Sequence, residues 1–173
     1  MKKDQSILLG LLGPRLIQNI TRLMTPGTSD ERHRPKRTIK IFFENILTED
    51  LTVEQLLASF DILNVEIDKT TAFLKKIVDD KRTENKIIEP FDLTEQACVD
   101  IEKIHSKDQT TWKPEYKAMY FYFKGKSLKK SDQLTIDKIF DDLAEMQLLI
   151  DEARNIIWSK KTATKAKKEP VTV

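Results

Sequence analysis

The sequence predicts an all-α helical bundle, and three of its features carry that prediction. Only four glycines and six prolines interrupt 173 residues. The apolar side chains are mostly Leu and Ile gathered in long segments instead of short alternating runs, which favours helices over sheets. Finally, two separate segments repeat apolar residues at alternating spacings of three and four.

The first of these segments carries Val53, Leu56, Phe60, Leu63, Ile67, Thr70, Leu74 and Ile77. The spacing is the heptad pattern, which sets all of them on one stripe of a helix about 30 residues long. The expected bounds are 53–82, and Thr52 with Gln55 forms a capping-box pair at the start. Ala58, Ile62, Val65 and Ala72 add a weaker second apolar face. A helix apolar on two faces sits between neighbours, so a bundle is expected over a free two-stranded coil. The second segment, expected over 132–159 with Ser131 or Asp132 as its cap, repeats the pattern through Ile136, Ile139, Leu143, Met146, Ile150, Ala153 and Ile157. The simplest way to bury both seams is against each other, in a parallel or an antiparallel pair.

Shorter helices are expected at 6–24, 39–47, 94–106 and 115–124. Gly13-Pro14 should kink or divide the first, because proline lacks the amide and clashes with the preceding turn. Thr25-Pro26-Gly27 ends it, and Thr28 to Arg37 contains no apolar residue, as a linker would. In 39–47, Ile39, Ile41 and Phe43 alternate like a strand, while Phe42, Phe43, Ile46 and Leu47 keep helical spacing. The helix is favoured, since a lone strand has nothing to pair with. Pro90 should stop whatever precedes Phe91, Thr94 should cap the next helix, and Gly125 should end the aromatic one. The organisation that follows is an N-terminal amphipathic helix over 1–26, a basic linker over 27–38, a bundle domain over 39–159 and a disordered basic tail over 160–173.

Several chemistries lack their raw material. Cys98 is the only cysteine, so neither an internal disulfide nor a Cys-based zinc site is available, and a reducing compartment is expected. The apolar run Ile7 to Leu12 is too short for a signal peptide and lacks a cleavage site. No segment approaches the length of a membrane span. The expected setting is cytoplasmic or within an intracellular assembly. There is no phosphate-binding glycine loop, no His-Glu-x-x-His and no calcium loop. Cys98, Glu102 and His105 can be drawn as a metal or thiolate constellation, but a lone Cys on an apolar helix face is usually core. His33 reads as one more solvated residue of the basic linker. Asp137, Asp141, Asp142 and Glu145 cluster on one helix, yet the Glu-x-x-His motifs of a bundle di-metal site are absent, so a solvated acidic face is expected. No catalytic residue, metal ligand, cofactor or small-molecule substrate is assigned, and the chain is expected not to be an enzyme.

The net charge of +2 conceals a pattern of basic blocks alternating with acidic helices. The segment Trp112 to Lys130 holds all three tyrosines, Phe121, Phe123 and the lysines Lys113, Lys117, Lys124, Lys126, Lys129 and Lys130. Lysines interleaved with rings suit single-stranded nucleic acid, where the rings stack on bases and the lysines meet phosphates. The competing reading packs Tyr116, Tyr120 and Phe123 into the core. Arg32, Arg34, Lys36 and Arg37 in the linker, and Lys160, Lys161, Lys165, Lys167 and Lys168 in the tail, are cationic arms for phosphate backbones or acidic protein surfaces. Leu8, Leu12, Leu16 and Ile20 form the stripe expected to meet a protein partner or a second copy. A membrane surface would need the same stripe.

Two functions follow as expectations. The first is a non-enzymatic helical interaction, scaffold or assembly component; the second is a nucleic-acid-binding protein using the linker, the 112–130 segment and the tail.

Overall fold

The computed structural model describes residues 13–25, 33–47, 51–105, 108–124 and 134–168, and along 160–168 it describes the backbone alone. Six α-helices and one short 3-10 turn make up the regular structure of these residues. They are α1 (Pro14–Met24), α2 (Arg34–Ile46), α3 (Val53–Thr83), α4 (Pro90–Ile104), α5 (Pro114–Lys124) and α6 (Ile136–Lys168), with the 3-10 turn at Gln109–Thr111.

Local chemistry sets most of the boundaries. Gly13 holds φ 80°, a left-handed value that favours glycine, and Pro14 follows as the first helical residue. The Gly-Pro step therefore starts α1 instead of kinking a longer helix. Pro90 does the same for α4, which begins there and not at Thr94; the Thr94 hydroxyl turns back to donate to the Phe91 carbonyl at 2.7 Å. At α3 the capping box is complete: the Gln55 amide donates to Thr52 Oγ1 at 3.2 Å and the Thr52 amide to Gln55 Oε1 at 2.9 Å. The far end of α3 closes with Asn85 at φ 54°, the Lys86 amide donating to Lys81 O and the Asn85 amide to Arg82 O. This pair of bonds is a Schellman closure, with asparagine in the place glycine most often takes. Thr135 Oγ1 accepts from the Lys138 amide at 3.0 Å and caps α6. The expected caps Ser131 and Asp132 lie outside the described residues.

Two of the expected non-helical segments prove helical. α2 begins at Arg34, inside the predicted basic linker. Its early turn is anchored by Pro35 and Thr38, both buried, so the absence of aliphatic residues before Ile39 hid a packed helix face. At the other end α6 runs on to Lys168, through a stretch expected to be disordered. That stretch contains no glycine or proline, and its Ala and Lys residues are good helix formers.

The long helices pack against each other. Arg154 pairs with Asp61 at 3.2 Å, Asn64 Nδ2 donates to Asp151 at 3.3 Å, and Gln147 Nε2 donates to Asp68 at 2.7 Å. Residue numbers fall along α6 as they rise along α3, so the pair is antiparallel. Beneath these polar bridges lie Leu56, Phe60, Leu63, Ile67, Thr70 and Leu74 of α3, and Ile139, Leu143, Met146, Ile150, Ala153 and Ile157 of α6, all buried. The second α3 face departs from expectation: Ala58, Val65 and Ala72 are exposed, whereas Leu57 and Val78 are buried beside the main seam.

The other helices enclose this pair. α2 packs on α5 and α6, and Phe42 meets Phe60 edge-on with ring centroids 5.5 Å apart. α1 rests on α2 and α6, and α4 rests mainly on α5. Leu16 and Ile20 of α1 are buried in this contact. They were expected to face a partner, but the bundle itself provides the apolar surface that such a stripe needs. No described helix is long and apolar enough to cross a membrane.

Candidate binding groove

One stripe of α2 carries Arg34, Arg37, Thr38, Ile41 and Asn45, the spacing that keeps side chains on one side of a helix. Opposite it, α5 presents Lys117, Phe121 and Lys124, with Ala118 buried between the walls. Arg37 lies 5.9 Å from the centre of the Phe121 ring, and the charge of Arg34 acts on Tyr122. The N-terminal half of α2 thus faces the C-terminal half of α5. These residues line a groove of about 840 Å³ together with Trp112, Tyr120 and Tyr122 and with Gln109 and Thr110 of the 3-10 turn. Asp108 holds that turn, its Oδ1 accepting from the Thr110 amide at 3.0 Å and the Thr110 hydroxyl at 2.6 Å. These two bonds hold the Asp108 carboxyl below the usual carboxylate range.

Among the described residues that line the groove, every ionisable side chain apart from the tyrosines is basic: Arg34, Arg37, Lys117 and Lys124. The carboxylates nearby are engaged behind it. The Tyr122 hydroxyl donates to Asp142 at 2.7 Å, and Lys138 reaches the other oxygen of Asp142 at 2.7 Å. Burial, then the charge of Asp142 and its hydrogen bond, push the Tyr122 phenol far above its ordinary range, with Arg34 opposing. The Tyr120 hydroxyl donates to Glu102 at 2.6 Å. Burial and this bond raise the Tyr120 phenol, and the Tyr120 oxygen in turn raises the Lys124 ammonium. Lys138 is raised first by its hydrogen bond to Asp142. The α5 wall of the groove is therefore tied to its neighbours by polar pairs, Tyr122 with Asp142 and Tyr120 with Glu102.

The structure brings together five of the residues singled out by sequence: Arg34, Arg37, Trp112, Lys117 and Lys124. Lys36 and Lys113 lie outside its lining. Arg32, Lys126, Lys129, Lys130, Leu8 and Leu12 fall outside the described residues. Lys160, Lys161, Lys165, Lys167 and Lys168 belong to the last turns of α6, where the backbone alone is described. Tyr120, Phe121 and Tyr122, named only as rings of the aromatic segment, also line it, and Thr38, Ile41, Asn45, Gln109, Thr110 and Ala118 complete the lining without having been singled out. The helical spacing of 34, 37, 38, 41 and 45 was the available signal, hidden by reading residues 34–38 as linker.

The rings of the 112–123 segment are structural. Trp112, Tyr120, Tyr122 and Phe123 are buried and Tyr116 is half-buried, so Phe121 alone among them is exposed. His105 stacks on Tyr116 with centroids 3.8 Å apart and lies 5.6 Å from Trp112, a contact that closes α4 onto the start of α5. Cys98 is buried in the α4 core face, and burial pushes its thiol up to about 11. No group of three or more His, Cys, Asp or Glu among the described residues is placed to hold a metal ion.

Two expected solvated groups are also packed. Asp142 is buried, so the acidic cluster of α6 is only partly a solvated face. His33 caps α2, its Nδ1 accepting from the Lys36 amide at 3.4 Å, while Nε2 meets Glu145 of α6 at 3.1 Å. Comparison with protein-family models, with curated proteins and with solved structures finds no match.

Proposed function

We propose that this chain is a non-enzymatic helical interaction protein and that the groove between α2 and α5 docks an acidic protein partner. The observation that carries the reading is a partly apolar groove whose charged lining among the described residues, Arg34, Arg37, Lys117 and Lys124, is all basic and stands together with Ile41, Ala118 and Phe121. An acidic surface complements that charge while covering the apolar residues. The test is a photocrosslinking residue in place of Phe121, with Val65 on the outer face of α3 as the control position. Protein adducts from position 121 that disappear with Arg37→Glu are expected. Equal adducts from both positions would sink the proposal.

The same cations support the second reading, nucleic-acid binding through phosphate contacts. The buried state of Trp112, Tyr120 and Phe123 leaves Phe121 as the exposed ring of the segment for base stacking, so protein is preferred. Fluorescence anisotropy with single- and double-stranded oligonucleotides across a salt series, on the full chain and a chain lacking residues 160–173, separates the two. Tight binding near physiological salt that weakens steeply as salt rises would replace the protein reading with the nucleic-acid one.

A further inference from the structure

The form of the groove says more about its occupant than its charge does. Arg34 to Asn45 spans about 16 Å along α2 at the rise of an α-helix, or roughly three turns. Its lining takes cations from both helices, Arg34 and Arg37 from α2 and Lys117 and Lys124 from α5, together with the apolar Ile41, Ala118 and Phe121. An occupant that satisfies this arrangement needs one apolar stripe flanked by carboxylates on both sides. A helix with leucine-like residues three and four apart and Glu or Asp beside them has that distribution. The described elements around the groove are helices, so no sheet edge is present there for an extended peptide to join.

We infer that the groove between α2 and α5 receives an acidic amphipathic helix of about three to four turns from a partner protein, lying along α2. The inference rests on the protein-docking reading above and goes further in fixing the occupant's secondary structure.

The test uses the full chain, labelled with nitrogen-15, and synthetic peptides of about four helical turns built from Leu, Glu, Ala and Gln. One peptide places the leucines on a single stripe; a second permutes the same residues over all faces; a third breaks the striped sequence with a central proline. Saturable shifts confined to the groove are expected with the striped peptide, with affinity at least about tenfold weaker for the other two. Arg37→Glu with Lys117→Glu should weaken the striped peptide about tenfold or more, whereas Lys75→Glu with Lys76→Glu, an equal charge change on exposed α3 lysines, should not. Equal binding of the striped and permuted peptides, shifts outside the groove, or no binding would each overturn the inference. Protein adducts from position 121 alongside such a failure would leave the docking reading standing without its helix; loss of those adducts would remove both.

Discussion

Tyr122 and Asp142 join α5 to α6 through a 2.7 Å hydrogen bond with both side chains almost wholly out of solvent. The phenol is the donor and the carboxylate the acceptor. A buried carboxylate needs such compensation, and the Lys138 ammonium adds an ion pair 2.7 Å from its second oxygen. Tyr122→Phe removes one donor without changing the ring, and it should lower stability by about 1.5–3 kcal/mol in urea unfolding. An unchanged midpoint would mean that the pair contributes nothing.

The same pair predicts a response to alkali. The Tyr122 phenol lies above its ordinary value in the folded chain, so the unfolded chain loses this proton first. The corresponding stability is complete below about pH 10 and declines as pH rises beyond it. At alkaline pH the native chain should show less phenolate absorbance than the unfolded chain, and Tyr122→Phe should narrow that difference.

Cys98 gives a chemical readout of the core. With its thiol pushed up to about 11 by burial, against a standard value of 9.0, the reactive thiolate is scarce at neutral pH in the folded chain. Alkylation of native protein should be about a hundredfold slower than of unfolded protein, and slower still where access is blocked. Comparable rates would show that α4 opens readily.

Glu115 is 3% exposed, and its Oε2 has no hydrogen-bond partner among the described residues. Two effects oppose each other there. A carboxylate in the first turn of α5 is favoured by the helix dipole by about 0.3–1 kcal/mol, whereas an unsatisfied buried charged group costs about 1–3 kcal/mol or more. The second is larger, so Glu115→Gln should raise the melting temperature. A lower one would show the dipole term winning.

Two polar features of α3 should differ in weight. Thr52→Ala breaks the capping box and should cost about 1 kcal/mol. Asp61→Asn breaks the exposed pair with Arg154 and should change stability by no more than about 0.5 kcal/mol. Chemical denaturation of both variants checks the order.

Much of this architecture was legible in the sequence because burial leaves a period. The Leu56 to Leu74 and Ile139 to Ile157 seams announce two long helices, and Thr52 with Gln55 marks where one begins. Burial without aliphatic side chains leaves no such mark. Pro35 and Thr38 are buried on α2, yet in the sequence they look like linker, and that concealed the stripe from Arg34 to Asn45. Spacing also says nothing about which way a neighbour runs; the antiparallel sense came only from bridges such as Gln147 to Asp68. The basic and aromatic character of 112–124 was plain, but its rings could be assigned to the core only once α4 and α5 were seen packed together, with His105 against Tyr116.

The antiparallel pairing of α3 with α6 has a consequence for synthesis. Gln147 meets the Asn64 carbonyl across 83 residues of chain, so the ribosome must deliver α6 before the apolar seam of α3 can be covered from that side. Contacts this distant in sequence slow folding, and an uncovered seam invites association with other chains. A nascent chain halted before Ile136 would carry α3 with one flank bare, and its encounter with chaperones would be governed by how long translation takes to complete the last helix.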